Sequence, residues 1–252
     1  MDRPTIVTVP CFSGAPWDLD QLSPLAGYPL RTMRLPEGLD DIEDYADFVA
    51  GEVAGLDRYV LVGDSFGAVV ALALATRQPA GLQALVLSGG FAANPVTNPL
   101  VKAKISAARF LPGALYRHVT LRFHARSLAS PHDGHGQVPW AVKDSRRLFV
   151  ENTPWASYVA RAKAAFSADY RDRLRRIKVP TLILTPSYDR LIGEEAARTM
   201  VEAIPDAHEA VLQETGHMFR FSHPVTYANA VLDFIDAGVE GQRPVNPEKA
   251  KA

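Results

Sequence analysis

The chain predicts a doubly wound, mostly parallel α/β sheet interrupted by a helical insertion. Three observations carry this. Short β-branched runs alternate with helix-like stretches over the first 90 residues, the rhythm breaks across residues 91–178, and it resumes from residue 181 to 236. Strands that alternate with helices at this spacing pair in parallel, because each crossover helix must lie on a face of the sheet.

The elements follow in order. Residues 5–9, Thr-Ile-Val-Thr-Val, are a β-branched run ending at Pro10, which suits a buried strand entering a loop. A helix is expected at 18–26, a strand at 30–35 and a helix at 39–55. A strand at 59–62, a helix of small residues at 68–76 and a strand at 82–87 complete the first half. The insertion holds prolines, scattered aromatics and helix-like stretches without a convincing strand. Beyond it lie a strand at 181–184, a helix at 194–203, a last strand at 207–212 and an amphipathic helix at 224–236. The expected organisation is a core of residues 1–90 and 179–240, a helical cap of 91–178 and a mobile, polar tail at 241–252.

Composition narrows the function. A chain of 252 residues, 47% apolar, can bury a single core with an insertion. With 27 basic against 28 acidic residues, no broad field recruits nucleic acid or an anionic membrane. A small-molecule partner is expected instead. Cys11 is the only cysteine, so neither a disulfide framework nor a multi-cysteine zinc site can form. No secretory leader or apolar run of membrane-spanning length is evident, and a cytoplasmic protein is expected.

The chemistry concentrates in Gly63-Asp64-Ser65-Phe66-Gly67, between an expected strand and an expected helix. A serine projecting from such a turn needs strained backbone angles, and glycines two residues to either side let neighbouring backbones approach. With this motif in this context the chain resembles the α/β-hydrolase family, and the likeness spans roughly residues 5–237. It implies the α/β-hydrolase fold and a catalytic triad in chain order serine, acid, histidine. Ser65 takes the nucleophile's position. Asp189 follows the strand after the insertion and takes the acid's. His217, in Glu214-Thr215-Gly216-His217-Met218, takes that of the base. Ser88-Gly89-Gly90, where some members carry the acid, has no carboxylate, and His208 and His223 are less well placed.

These residue types suit the task. A serine hydroxyl is a weak nucleophile until an imidazole removes its proton, and a carboxylate orients the imidazole and stabilises its cation. The oxyanion of the intermediate needs backbone donors, for which the family pattern implies the N–H groups of Phe66 and Phe12. Here the chain departs from its relatives. Pro10-Cys11 stands where many have His-Gly, and Cys11 restricts the backbone, so the donor is shifted or the hole reshaped. The first strand also lacks the preceding pair of strands common in the family, implying a six-stranded minimal sheet or an unusual edge.

Other features have plainer readings. Cys11 is read as core packing, His132-Asp133-Gly134-His135 as a solvent loop rather than a metal site, and the basic stretch 171–178 as a solvated linker. Asp64 is expected to face solvent or accept a backbone hydrogen bond, and Ser13 and Ser88 receive no role. Phe110, Leu111, Leu115, Trp140, Phe149, Trp155, Tyr158 and Phe166 are divided between lining a pocket and holding the insertion together. The expected activity is hydrolysis of a carboxylic ester through an acyl-enzyme, with no cofactor or metal. The same apparatus also serves carbon–carbon hydrolysis, thioester cleavage and acyl transfer. A non-catalytic binding protein and a cofactor-independent lyase or oxygenase are the readings from other classes.

Overall fold

The computed structural model describes residues 3–96 and 98–239, so the tail expected at 241–252 lies outside the described residues. Six strands form one sheet: β1 (Thr5–Val9), β2 (Leu30–Thr32), β3 (Tyr59–Asp64), β4 (Leu82–Ser88), β5 (Thr181–Pro186) and β6 (Ala207–Leu212). All are parallel, in the order β2-β1-β3-β4-β5-β6. The winding reverses between β1 and β3, which leaves a crevice at their carboxyl ends.

The strands' alternation builds two cores. Val7, Val9, Leu61, Leu85, Leu87 and Ile183 face one side, packed against α1 (Ile42–Val53), α2 (Phe66–Ala75) and α7 (Glu194–Ala203). Ile6, Val60, Val62, Val86, Leu182 and Leu184 face the other, covered by α9 (Pro224–Val239) and a 3-10 segment at Asp20–Gly27. Every residue of α2 is buried, so its small side chains meet the sheet on one flank and α1 on the other.

Several boundaries differ from the expectations. The helix expected at 18–26 is a kinked 3-10 segment, since Pro24 lies inside it and Leu22 departs from helical angles. The strand expected at 30–35 pairs only through Thr32, after which Leu35 N–H bonds the Gly14 carbonyl instead. The helix expected at 39–55 is capped by Asp41, whose side chain accepts from Glu43 N–H, and runs only as far as Val53. The helix expected at 68 starts two residues earlier, directly after Ser65.

Between β4 and β5 the chain is helical: α3 (Pro99–Ser106), a π segment (Tyr116–Thr120) continuing into α4 (Leu121–Leu128), α5 (Val142–Asn152) and α6 (Trp155–Ser167). A third apolar cluster, including Tyr116, Leu121, Phe149 and Tyr158, joins these helices to Cys11, Met218 and Phe221 at the sheet's carboxyl edge. The stretch expected to be a solvated linker holds a 3-10 segment at Arg171–Arg176, where Arg171 pairs with Asp169 and Arg173 with Glu43.

Candidate active site

Ser65 sits at φ 54° and ψ −114°, a conformation rare outside glycine, on the turn joining β3 to α2. The strained angle is held from both sides. A Cβ on Gly63 would lie 2.5 Å from the Gly67 carbonyl oxygen, and one on Gly67 would lie 2.3 Å from the Val9 oxygen. Only glycine permits this approach. Ser65 N–H donates to the Ser88 carbonyl at 2.7 Å, and Ala68 N–H bonds the Ser65 carbonyl at 2.9 Å, locking the elbow between β4 and α2.

The loop after β6 brings His217 over this serine. Its Nε2 lies 2.9 Å from Ser65 Oγ, and its Nδ1 lies 2.7 Å from Asp189 Oδ2. Asp189 is fixed in turn, because its Oδ1 accepts from the N–H groups of Leu191 at 2.9 Å and Ile192 at 3.0 Å. The two loops are tied by Ser187 N–H to the Leu212 carbonyl and Tyr188 N–H to the Thr215 carbonyl. Gly216 is required by contact: a Cβ there would fall 2.2 Å from Ser130 Cβ, so the insertion presses directly on the histidine loop.

Electrostatics match this order. Burial of His217 favours its neutral form, but the charge and hydrogen bond of Asp189, reinforced by Asp64 and Asp133, outweigh it and raise its pKa. For Asp189, burial pushes upward, while His217 and the Ile192 and Leu191 N–H groups more than compensate and lower the pKa. A second histidine, His124 of α4, packs its ring 5.2 Å from that of Phe12 and places Nδ1 3.3 Å from the Tyr158 hydroxyl. Burial, helped by His217, pulls its pKa down to about 4, so it adds no cation near Ser65 and His217 at neutral pH.

A cavity of about 100 Å³ opens over Ser65 and His217, walled by Phe12, Phe66, Phe91, Phe149 and Tyr158 among others. None of the described residues lining it is a lysine or arginine. Of the aromatics singled out in the insertion, Phe149, Tyr158 and Phe166 reach this wall. Trp140 and Trp155 use their indole N–H groups to bind Ser145 Oγ and the Ala108 carbonyl, while Phe110 and Leu115 are exposed.

Two buried arginines escaped the sequence reading. Arg161 of α6 donates Nη1 to the Phe12 and Ser13 carbonyls at 3.0 and 2.9 Å and Nη2 to the Leu35 and Pro36 carbonyls, so the insertion grips the loop after β1. Its guanidinium occupies the space a side chain at Gly14 would need. Arg161 falls on the buried stripe of α6 with Ser157, Tyr158 and Ala164, and a cation on an apolar helical face was the available signal. Arg220 of α8 (Phe219–Ser222) donates Nε to Asp64 Oδ2 at 2.7 Å, with its guanidinium 4.3 Å from the Trp17 ring centre and 4.0 Å from that of Phe221. This corrects the expectation for Asp64, which is buried and ion-paired. No local pattern links residues so far apart in sequence.

The remaining candidates find structural partners. Burial, with the Asp64 charge, raises the Cys11 thiol pKa, as suits a packed side chain. Ser88 Oγ bonds Tyr227 OH at 2.7 Å, and Ser13 Oγ lies 3.3 Å from Cys11 Sγ. The segment Pro131–His135 is not a free loop: Ser130 and Asp133 cap it reciprocally, and His132 stacks on Tyr188 at 3.9 Å. His208 lies beside Asp206 on the surface, and His223 Nδ1 contacts Ser222 Oγ.

A parallel sheet with a strained serine elbow, a histidine and a buried carboxylate in one hydrogen-bonded line defines a class of hydrolase. The alpha/beta hydrolase family profile matches residues 6–230, and the chain belongs to that family. Among curated relatives it is 26% identical over 188 residues to pyrrolizixenacetamide deacetylase of Xenorhabdus hominickii, covering 74% of this chain and 68% of that one. It is also 26% identical over 191 residues to 2-hydroxy-6-oxononadienedioate/2-hydroxy-6-oxononatrienedioate hydrolase 1 of Dechloromonas aromatica, covering 73% of this chain and 64% of the relative, less than two thirds of its length. The enol-lactonase of Burkholderia xenovorans superposes with a TM-score of 0.77 at 22% identity, covering 93% and 92% of the two chains. A thermophilic esterase of Thermogutta terrifontis superposes with the same score at 20% identity, covering 93% and 90%. These two likenesses establish the fold.

Proposed function

We propose that the protein hydrolyses a carboxylic ester of a small, largely apolar acyl group, with Ser65 as nucleophile, His217 as general base and acid, and Asp189 as its orienting partner. The observation that carries this reading is the continuous line from Ser65 Oγ through His217 to Asp189, at 2.9 and 2.7 Å. Ser65 Oγ attacks the carbonyl carbon as its proton passes to His217 Nε2. That proton then leaves with the alcohol, giving the acyl-enzyme. Water next attacks the acyl carbon and gives a proton to His217, which returns one to Ser65 as the acid departs.

Two backbone N–H groups are assigned to the oxyanion. Phe66 is the first residue of α2, where helix N–H groups lack intrahelical acceptors. The Cys11 carbonyl accepts from Gly14 N–H at 2.8 Å, and in a trans peptide the Phe12 N–H points the opposite way from that carbonyl. This supports Phe12 as the second donor despite Cys11. The insertion acts as a cap whose side chains bound the acyl pocket. A pocket without lysine or arginine favours a neutral substrate over the dianion named for the Dechloromonas relative.

The test is intact-protein mass spectrometry after treatment with a fluorophosphonate, comparing wild type with Ser65→Ala. A stoichiometric adduct mapped to Ser65 and lost in the variant is expected, together with turnover of small activated esters. A folded wild-type protein that takes no label and turns over no ester or thioester would refute the assignment.

A further inference from the structure

The overall charge balance conceals a local imbalance. From Phe91 to His132 the chain carries Lys102, Lys104, Arg109, Arg117, Arg122 and Arg126 and no aspartate or glutamate. Among the described residues, none of these six forms an ion pair with a carboxylate. The same stretch holds a concentration of exposed apolar side chains: Leu100 is 71% exposed, Phe110 69%, Leu115 53%, Val119 52% and Phe123 41%.

The geometry puts cations and apolar groups side by side. Leu115, Val119 and Phe123 recur every four residues along the continuous helix of the π segment and α4, on the side away from buried Leu121 and Ala125. Lys104 of α3 lies 6.0 Å from the Phe123 ring centre, which joins α3 to this face, and α3 itself buries none of its residues. An outer groove beneath α3, bordered by Arg109, shares Ile105, Ala162 and Phe166 with the wall of the cavity over Ser65. The basic, apolar face therefore adjoins a groove separated from the pocket only by these shared side chains.

We propose that this face docks on an anionic lipid surface and draws apolar substrate from it into the pocket. Large apolar side chains among cations, on a stretch of chain without acids, match an interface whose headgroups are negative and whose interior is hydrocarbon. An acidic protein surface would match the cations but leave five large apolar groups without a comparable partner. The docking does not depend on the chemistry at Ser65.

The experiment is co-sedimentation of the full chain, and of Ser65→Ala, with phosphatidylcholine vesicles with and without about 30% phosphatidylglycerol. Binding to the anionic vesicles alone is expected, equal for both proteins, and suppressed at about 0.5 M salt, where screening shortens to a few ångströms. Lys104→Gln combined with Arg122→Gln should weaken partitioning about 30-fold. Phe123→Ser should weaken it as well, and both the Lys104→Gln/Arg122→Gln and the Phe123→Ser proteins should hydrolyse a soluble ester at the wild-type rate. Four results would overturn the proposal: no vesicle binding by the folded protein, equal binding to neutral and anionic vesicles, Lys104→Gln/Arg122→Gln and Phe123→Ser proteins that bind as wild type, or capture by an acidic acyl-carrier protein without vesicle binding.

Discussion

Replacing Asp189 by asparagine should disable the site without displacing it, and the structure dictates how. Asp189 Oδ1 accepts two backbone N–H bonds, from Leu191 and Ile192, while Oδ2 faces His217 Nδ1. The asparagine oxygen must take the Oδ1 position, since an amide NH2 there would confront two donors. The NH2 group then donates to His217 Nδ1, which forces the ring proton onto Nε2, facing Ser65 Oγ. A histidine in that tautomer cannot accept the serine proton. The expected loss in kcat is about 10³- to 10⁴-fold, or roughly 4–5.5 kcal/mol of transition-state stabilisation. KM should change little, and urea unfolding should move by less than about 1 kcal/mol, because both backbone bonds survive. Steady-state kinetics on a soluble ester, with a urea curve on the same preparation, tests this. A kcat within tenfold of wild type in a folded Asp189→Asn protein would refute the tautomer argument.

The remaining predictions concern pH and the two buried arginines. Since burial of His217 is outweighed by Asp189 together with Asp64 and Asp133, which raise its pKa, and only neutral His217 can act as base, kcat/KM should rise with pH through a midpoint above the ordinary value of about 6.5; a midpoint below it in a pH-rate profile would contradict the assignment. Arg161→Met should release the Phe12 and Ser13 carbonyls, lowering kcat by roughly 10- to 100-fold and stability by about 3 kcal/mol. A stability loss with unchanged kcat would reduce Arg161 to a packing role. Asp64→Asn strands the Arg220 charge between Trp17 and Phe221 and should cost about 3–5 kcal/mol in urea unfolding, whereas Asp64→Leu combined with Arg220→Met should recover much of it.

Much of this architecture was legible because its signals are local. β-Branched runs mark the strands wherever both faces are buried, and the sharp turn at Ser65 needs Gly63 and Gly67 within two residues of it. Order along the chain was enough to propose Asp189 and His217, because each follows a strand whose carboxyl end opens on the same edge. Boundaries were less legible where long-range contacts override local preference. Leu35 leaves the expected strand because Gly14 offers its carbonyl, and Phe110 and Leu115, expected to line a pocket or hold the insertion together, are exposed.

Tertiary structure alone decided the rest. The hydrogen bonds between Ser65 and His217 and between His217 and Asp189 exist only once β3, β4, β5 and β6 are set side by side in register. The Asp64–Arg220 pair spans 156 positions, and the grip of Arg161 on Phe12 spans 149. Residue types and local spacing carry the chemistry a chain can attempt. Which buried charges meet, and which apolar faces stay uncovered, depends on contacts between distant segments that no periodicity encodes.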